Sequence, residues 1–482
     1  MQCQEKTSSK RHYEKESIDV RHWGGNFHSS NEALVMRVER REVVIQSFIH
    51  ERKLKETLGG TKMIETKPFS ISRRWLYMAY QKVKSNGGVG GVDGVSMDEF
   101  DKDYRNYLYK LWNQMSSGSY MPPPIKLIEI PKKGGGLRPL GISTIADRIG
   151  QTVVRGLLEP ALEPLFHEDS YGCRPNKSAH GALTKARERC WKQSWVIDLD
   201  IEKFYDNIPH DLLMKAVKKH CDCKWMLLYI ERWLVAPVQL RDGTLVARTK
   251  GVPQGSVLGP VLANLYLHYC MDKWLGIKYP QCSFERYMDD AIIHCQKRKE
   301  AMIVMKALER RLQECGLRMH PEKTKIVYCT DSNRRYNREY ANNVSFDFLG
   351  FTFRPRMAQN SNRGEWFTNW LPAVSTKSKK AMNEKMREWK VFEKTTNTIQ
   401  QIADKVNPVL TGWINYYGKF YKSKMIKFMR TVNVKLVNWA RRKYKRLRVS
   451  FQRAAEWLNS IYMRRQSLFA HWKLLNSKPT AG

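Results

Sequence analysis

Phe284-Glu-Arg-Tyr-Met-Asp-Asp-Ala-Ile-Ile-His294 is a largely apolar run interrupted by two adjacent aspartates, Asp289 and Asp290. The run predicts a β-hairpin with both aspartates at its turn. Aspartate is depleted in strands, and neighbouring carboxylates between apolar strands are costly unless something positive holds them. The hairpin therefore predicts a site at which carboxylates bind a cation.

A third carboxylate is available on the short apolar strand predicted at 195–201. Asp198 and Asp200 lie two residues apart, so both fall on one face of this strand and either could complete the site. Mg²⁺ prefers hard oxygen ligands and keeps waters and substrate phosphates in its shell. Two such ions about 3.5–4 Å apart can activate a 3′-hydroxyl and stabilise a leaving pyrophosphate. Three carboxylates with basic residues around them are thus suited to phosphoryl transfer.

The charge of the chain indicates a polyanionic partner. The 482 residues include 84 Lys or Arg and 47 Asp or Glu, a formal net charge of +37, and nucleic acid is the main candidate. No apolar run reaches the roughly 18 residues of a membrane span, so no membrane partner is expected. No apolar segment follows the basic N-terminal residues, which argues against a secretory signal. Ten scattered cysteines fit free thiols in a reducing compartment.

Helical and strand patterns alternate along most of the chain. Residues 1–62 are polar and weakly periodic, and we interpret them as a loosely ordered extension. Residues 63–120 are predicted to be helical, broken by a glycine cluster at 87–94 that is either a flexible connection or a turn contacting nucleic acid. The remaining strands are predicted at 125–130, 325–329 and around 346–353, and the remaining helices at 145–166, 178–193, 210–235, 261–275 and 298–315.

The composition changes after about residue 374. Residues 371–482 contain 25 Lys or Arg and five Asp or Glu, and helical periods replace strands. Basic residues such as Lys419 interleave with aromatic residues such as Tyr416 and Tyr417, and positive charge becomes dense over Arg441–Arg448. Positive charge attracts backbone phosphate and aromatic rings stack on exposed bases, although some of these rings are expected to be helix core. This segment predicts a separate basic helical domain.

Several motifs in order resemble those of reverse transcriptases. Tyr287-Met-Asp-Asp290 resembles their core motif, and Asp200-Ile-Glu-Lys-Phe-Tyr-Asp206 resembles their first palm motif. The second match selects Asp200 over Asp198 and adds the main chain of Ile201 to the metal ligands. The resemblance implies an α+β right-hand polymerase, with fingers and an antiparallel palm sheet over 63–360 and an α-helical thumb behind them.

The same resemblance implies roles for residues around an incoming nucleotide and a primer. Tyr205 would exclude a 2′-hydroxyl, and Gln254 and Gly255 would contact the nucleotide and the template. Lys132 and Arg138 would grip the triphosphate. The remaining assignments are Lys323 as a proton donor to pyrophosphate, and Phe348, Leu349 and Gly350 as the primer grip.

The closer resemblance is to bacterial group II intron proteins. It is carried by Gly91-Val-Asp-Gly94, Arg138-Pro-Leu-Gly-Ile142, Ser170-Tyr-Gly-Cys-Arg-Pro175 and Gly412-Trp-Ile-Asn-Tyr-Tyr417. It implies a thumb or maturase domain at 371–445 and a basic C-terminal tail at 446–482 that could bind DNA. The thumb residues expected to bind RNA are Trp413, Tyr416, Tyr417, Lys419, Arg441, Arg442 and Lys443.

The activity implied by this resemblance is RNA-directed DNA polymerisation with dNTPs and two Mg²⁺ ions, for which Mn²⁺ could substitute. The implied partners are intron RNA, whose splicing the protein would assist, an RNA template with a DNA primer, and target DNA for target-primed reverse transcription. The implied location is the bacterial cytoplasm, and the oligomeric state is left open. Two alternatives remain, a domesticated or defence-type reverse transcriptase and a splicing-only maturase. No Cys follows Cys329 and only His471 lies beyond residue 450, so the HNH nuclease of many relatives is not expected.

Overall fold

The computed structural model describes residues 67–131, 136–332, 334, 343–359 and 364–476. The predicted extension at 1–62 and the predicted triphosphate contact Lys132 lie outside these residues. The helices are α1 (Arg73–Asn86), α2 (Met97–Lys102), α3 (Tyr104–Ser117), α4 (Ile145–Leu162), α5 (Ala179–Lys192), α6 (Phe204–Asn207), α7 (His210–Lys218), α8 (Lys224–Val235), α9 (Gly259–Leu267), α10 (Lys273–Lys278), α11 (Arg298–Glu314), α12 (Thr376–Glu388), α13 (Ile399–Tyr417), α14 (Lys422–Lys443), α15 (Phe451–Arg464) and α16 (Ala470–Asn476).

The strands form three sheets. They are β1 (Ile125–Pro131), β2 (Leu137–Ile142), β3 (Trp195–Asp200), β4 (Val238–Gln239), β5 (Leu245–Val246), β6 (Phe284–Tyr287), β7 (Asp290–Cys295), β8 (Lys325–Tyr328), β9 (Phe346–Phe348), β10 (Phe351–Gln359) and β11 (Trp366–Val374). The sheet orders are β2-β1-β4-β5, β6-β7-β3-β8 and β11-β10-β9.

The central sheet, β6-β7-β3-β8, is antiparallel throughout, which confirms the prediction of an antiparallel palm. Alternate residues of β3 face opposite sides of the sheet. Ile197 and Leu199 join the core that includes α11, whereas Val196 joins the core that includes α5. Asp198 and Asp200 continue the face of Val196. That face is therefore apolar at one end and acidic at the other.

The fingers are built from α1 to α4 and the sheet of β1 and β2. Their polar centre is Asp147, which is 2% exposed and lies in the first turn of α4. Its carboxylate accepts hydrogen bonds from Tyr120 Oη at 2.9 Å, Trp233 Nε1 at 2.8 Å and Thr144 Oγ1 at 3.1 Å. Burial raises the pKa of Asp147 to about 6, although these hydrogen bonds by themselves lower it. The carboxylate thus ties α4 to α8 and to the chain leading into β1.

The glycine cluster after α1 packs against the start of α4. A Cβ built on Gly91 would lie 2.7 Å from the Thr144 main chain, so only glycine allows this close approach. The Arg148 side chain donates to the Val89 carbonyl and also to the Ser143 carbonyl. The cluster is therefore a packed connection in the fingers, and a contact with nucleic acid stays a prediction.

Several elements differ from the sequence prediction, among them the short strands β4 and β5, which it lacks. The helix predicted over 210–235 is two helices, α7 and α8, because the chain breaks between Lys218 and Lys224 at residues of modest helix propensity. Strand β11 was not predicted, because its Pro372 lowers any strand score. Pro372 is tolerated there because β11 is the edge strand of its sheet.

The helical C-terminal region has its own apolar core, which begins at Val374. Trp439 of α14 is fully buried in this core, to which Leu458 of α15, Trp472 of α16 and Phe469, just before α16, also belong. The segment predicted as a tail is thus helical as far as Asn476 and is packed into the thumb, while its predicted contact with DNA stays a prediction. Within the described residues, none of the helices combines the length and apolar character needed to cross a lipid bilayer.

We expect Asp147→Ala to destabilise the fingers. Each buried donor left without an acceptor costs about 1–3 kcal/mol, and Tyr120 and Trp233 both lose theirs, so the free energy of unfolding should fall by at least about 2 kcal/mol. Urea unfolding followed by circular dichroism measures this loss. The exposed Asp211→Ala is the control and should change stability by well under half as much. Equal stability of the two variants would contradict the role assigned to Asp147.

Candidate active site

The turn between β6 and β7 is a two-residue loop, because Tyr287 pairs with Asp290. Met288 and Asp289 form the loop, and Met288 has a φ of +60°. Two-residue hairpin loops need positive φ, and a residue other than glycine pays about 1–2 kcal/mol for it. The loop places Asp289 at the tip of the hairpin and Asp290 at the first position of β7.

Asp200 is the last residue of β3 and lies directly opposite Asp290 in the register of β3 and β7. Its main chain is held from the other side, where the His320 N–H donates to the Asp200 carbonyl at 2.8 Å and Thr324 Oγ1 lies 3.2 Å from the Asp200 nitrogen. Lys323 Nζ lies 3.4 Å from both carboxylate oxygens of Asp200. The next residue, Ile201, forms a bridge with Met319.

The negative charges of these carboxylates repel one another, and the repulsion raises pKa values. Burial raises the pKa of Asp289, and burial followed by the charges of Asp198, Asp289 and Asp200 raises the pKa of Asp290 well above its ordinary value. Burial also raises the pKa of Asp198 to about 7, although Lys325 lies 3.9 Å away. Hard carboxylate oxygens are the donors that divalent cations prefer. Asp198, Asp200, Asp289 and Asp290 all line one cleft and could supply them.

These carboxylates line a cleft of about 1180 Å³ that reaches from the palm to the thumb. The cleft brings together residues that are far apart in sequence. The predicted site residues that line it are Arg138, Asp200, Asp289, Asp290, Lys323, Leu349, Gly350, Trp413 and Tyr417.

The turn predicted as the primer grip contacts the carboxylates directly. Leu349 and Gly350 have φ of +49° and +80° and connect β9 to β10. The Leu349 N–H donates to the Asp290 carboxylate, which lowers the Asp290 pKa against the effects of burial and like charge. On the thumb side, Tyr416 Oη donates to the Leu349 carbonyl at 2.9 Å, and Ser378 Oγ donates to the Gly350 carbonyl at 2.9 Å. Phe348 itself is buried in an aromatic core.

The loop that carries Gln254 and Gly255 is fixed against β2. Gly255 has a φ of +108°, and a Cβ there would lie 2.4 Å from the Gly141 carbonyl oxygen. The Gly141 N–H donates to the Gln254 carbonyl at 2.7 Å. The buried Gln151 accepts hydrogen bonds from Ser256 Oγ at 3.0 Å and Val257 N–H at 2.9 Å. The loop is therefore packed closely against β2, the strand that also carries Arg138.

Arg138 and Tyr205 both lie near the tip of the hairpin. The charge of Arg138 lowers the pKa of Asp289, and the charge of Asp289 raises the pKa of Tyr205 in addition to the larger effect of burial. The Tyr205 carbonyl accepts from the Val252 N–H at 2.7 Å, which links the segment after β3 to the loop of Gln254. Of the residues predicted around a nucleotide, Arg138 lines the cleft with the carboxylates, and Tyr205 lies near enough to Asp289 to feel its charge.

Comparison with known proteins agrees with this geometry. Residues 130–353 match the family described as reverse transcriptase (RNA-dependent DNA polymerase), and residues 379–457 match the maturase-specific domain of group II introns. Protein YkfC of Escherichia coli strain K12 is 30% identical over 297 residues, which cover 53% of this chain and 77% of YkfC. The chain belongs to the group II intron reverse transcriptase and maturase family.

Other relatives of this chain are longer. The group II intron-encoded protein LtrA of Lactococcus lactis is 34% identical over 214 residues, covering 44% of this chain and 35% of LtrA. The putative COX1/OXI3 intron 1 protein of Saccharomyces cerevisiae is 32% identical over 200 residues, covering 42% of this chain and 24% of that protein. The chain thus matches 35% or less of the length of these two proteins. A telomerase structure from Candida albicans in complex with a telomeric RNA fragment aligns at a TM-score of 0.39 and 14% identity over 79% of this chain and 68% of that one, which is too low to establish a shared fold.

The thumb residues predicted to bind RNA fall into two groups. Trp413 stacks on Trp389 with ring centroids 5.6 Å apart, and with Tyr417 it lines the cleft, while Lys419 is exposed. The remaining basic side chains donate to main-chain carbonyls within the thumb: Arg441 to Arg448, Arg442 to Phe392, and Lys443 to Thr395 and Asn397. These bonds hold the ends of thumb helices, and a contact of these three with RNA stays a prediction.

Sequence reasoning missed the buried polar residues behind the hairpin. Arg286 lies within the opening motif and is fully buried, where it pairs with the fully buried Asp272. The sequence does carry a signal for such a residue, because Arg286 is a charged residue within a largely apolar run. The partner could not be identified, because Asp272 lies in a helical segment whose pattern gives no sign of its neighbour in space.

We expect Asp290→Asn to stabilise the protein in EDTA, although it removes a carboxylate that could bind a cation. A carboxyl whose pKa is raised on folding opposes folding increasingly as pH rises above its ordinary value of 3.8, and the amide removes that repulsion. The gain should be about 0.5–2 kcal/mol at pH 8 and smaller at pH 5. Thermal unfolding at both pH values in EDTA measures it. A lower melting temperature of the variant at pH 8 would contradict the electrostatic description of the site.

Proposed function

We propose that this protein is an RNA-directed DNA polymerase that extends a DNA primer. The observation that carries the proposal is the register of β3 and β7, which sets Asp200 opposite Asp290 and beside Asp289 on the floor of a cleft. The cleft is bounded by the palm and the basic helical thumb, as a bound duplex requires. The reverse transcriptase match over residues 130–353 supports the same activity.

We propose that Asp200, Asp289 and Asp290, with the main chain of Ile201, hold two Mg²⁺ ions, for which Mn²⁺ could substitute. Bound ions would supply Lewis-acid activation of the primer 3′-hydroxyl and neutralise charge on the pyrophosphate. The carboxylates would orient the reacting groups, and the Asp290 carboxylate accepts a hydrogen bond from the Leu349 N–H. Preorganised charge of this kind provides most of what phosphoryl transfer needs.

The cationic side chains of the cleft complete the proposed mechanism. Arg138 stands on the fingers side near Asp289 and would bind the triphosphate, together with Lys132. Lys323 Nζ lies 3.4 Å from the Asp200 carboxylate and would transfer a proton to the departing pyrophosphate. Tyr205, beside the loop of Gln254 and Gly255, would close the position that a ribose 2′-hydroxyl would occupy.

We further propose that the thumb binds intron RNA to assist its splicing, and that the polymerase copies this RNA by target-primed reverse transcription at target DNA. The maturase-specific match over residues 379–457 supports this proposal. The excess of basic residues in this region supports it independently, since phosphate contacts dominate affinity for nucleic acid.

We expect Asp289→Ala to abolish primer extension. Primer extension by the wild type on an RNA template with Mg²⁺ and dNTPs should fall at least about 100-fold in the variant, because a ligand of the ions is lost. Asp211→Ala, an exposed aspartate outside the cleft, is the matched control and should extend like the wild type. If the folded wild type extends no primer, the proposed polymerase activity is rejected. The leading hypothesis is then an RNA-binding protein that assists splicing.

We expect Tyr205→Ala to admit ribonucleotides. Loss of the ring should raise the ratio of kcat/KM for an rNTP to that for the matching dNTP by about 10–100-fold, the range that a single steric contact in a binding site provides. Single-nucleotide incorporation kinetics measure the ratio. Tyr205→Phe keeps the ring and should discriminate like the wild type. An unchanged ratio in Tyr205→Ala would remove Tyr205 from nucleotide selection.

A further inference from the structure

Behind the hairpin turn lies a charge pair that no part of the proposed mechanism uses. Arg286 and Asp272 are both fully buried. The contact is bidentate, from Arg286 Nε to Asp272 Oδ1 at 2.7 Å and from Nη2 to Oδ2 at 2.6 Å. Burying two charges is costly, and a well-packed apolar pair of similar volume often gives equal or greater stability. Stability alone therefore does not account for the placement of this pair.

The rest of the Arg286 guanidinium is directed at the turn and its neighbours. Nη1 donates to the Met288 carbonyl at 3.1 Å and to Asn264 Oδ1 at 2.9 Å, and Nη2 donates to Ser170 Oγ at 2.8 Å. Met288 is the residue of the loop with positive φ. A rigid planar group, itself held by a carboxylate, thus binds the carbonyl of the strained residue next to Asp289.

The turn is also held from its other side by the segment at 169–172. The Tyr171 N–H donates to the Arg286 carbonyl at 2.7 Å, and a Cβ on Gly172 would lie 2.4 Å from the Met288 nitrogen. The same Asn264 that accepts from Arg286 donates from Nδ2 to the Gly172 carbonyl at 2.8 Å. A strained turn residue persists only where its surroundings determine its conformation, and here contacts surround it.

We propose that Arg286, clamped by Asp272, is a positioning residue: its hold on the Met288 carbonyl sets the direction in which Asp289 enters the cleft and thereby the affinity of the site for divalent cations. The inference rests on the proposed polymerase function and deepens it. The guanidinium touches neither substrate nor cation. Residues that support metal ligands typically change affinity or activity by about 10–100-fold when they are replaced.

Three variants test the proposal. Arg286→Lys keeps the charge and loses the planar donors, and Asp272→Asn keeps the volume and loses the charge of the clamp. The pair Arg286→Met with Asp272→Leu removes both buried charges, so that the fold is retained while the turn loses its support. We expect kcat for primer extension to fall about 10–100-fold in each, and the Mg²⁺ concentration at half activity to rise several-fold. The Kd for the RNA–DNA duplex should stay within about twofold of the wild type, since the network does not reach the cleft.

A second buried ion pair on the same strand provides the matched control. Glu285 is fully buried and points to the other face of β6, where it accepts from Arg189 Nη1 at 2.5 Å and lies 2.7 Å from His294 Nε2. Glu285→Gln should lower the melting temperature without moving the Mg²⁺ half-activity point. A role of Arg286 in stability alone would give its variants the same behaviour as this control.

Direct binding of Mn²⁺, followed by electron paramagnetic resonance, separates this inference from the proposed function. Weaker Mn²⁺ binding in the Arg286 and Asp272 variants than in the wild type supports positioning, even if the wild type extends no primer. Wild-type Mn²⁺ affinity and half-activity in the variants overturns the inference and leaves the polymerase intact. A wild type that neither binds Mn²⁺ nor extends a primer overturns both.

Discussion

The structure depends on one unfavourable pairing, that of Asp200 with Asp290 at the end of the two central strands of an antiparallel sheet. Like charges opposite each other in a sheet repel, and burial adds to the cost of the charge on Asp290. The surrounding contacts compensate for this repulsion. Lys323 lies at the exposed edge of Asp200, and the Leu349 N–H is donated to Asp290. The palm is thus organised around charges that remain incompletely neutralised by the protein itself, and that is the condition under which carboxylates bind divalent cations.

Much of this arrangement could be predicted from the sequence, because it obeys short-range rules. The two-residue periodicity places Asp198 and Asp200 on one face of β3, and the apolar flanks of the hairpin place Asp289 and Asp290 at its turn. The pairing of β3 with β7, which brings the two pairs together, was implied only by the resemblance to reverse transcriptases. Periodicity alone could not choose between Asp198 and Asp200. The register answers part of that question, since Asp200 faces Asp290 whereas Asp198 faces Ile292 and lies beside Lys325.

What could not be predicted depends on contacts between residues far apart in sequence. The hydrogen bond from Leu349 to Asp290 and the pairing of Arg286 with Asp272 have no local signature. The basic run beginning at Arg441 has a clear local signature that predicts a phosphate-binding surface. In the structure, however, Arg441 and Arg442 donate hydrogen bonds to main-chain carbonyls of their own domain. Composition therefore predicts the partner of a domain better than it predicts which side chains meet that partner.

Leu349 connects two parts of the protein through its own peptide groups. Its carbonyl accepts from Tyr416 of the thumb, and its N–H donates to Asp290 of the palm. A thumb that shifted on a bound duplex would therefore pull on the residue that hydrogen-bonds to Asp290. If the proposed function holds, grip on the nucleic acid and the geometry of the cation site would be mechanically linked through this single residue.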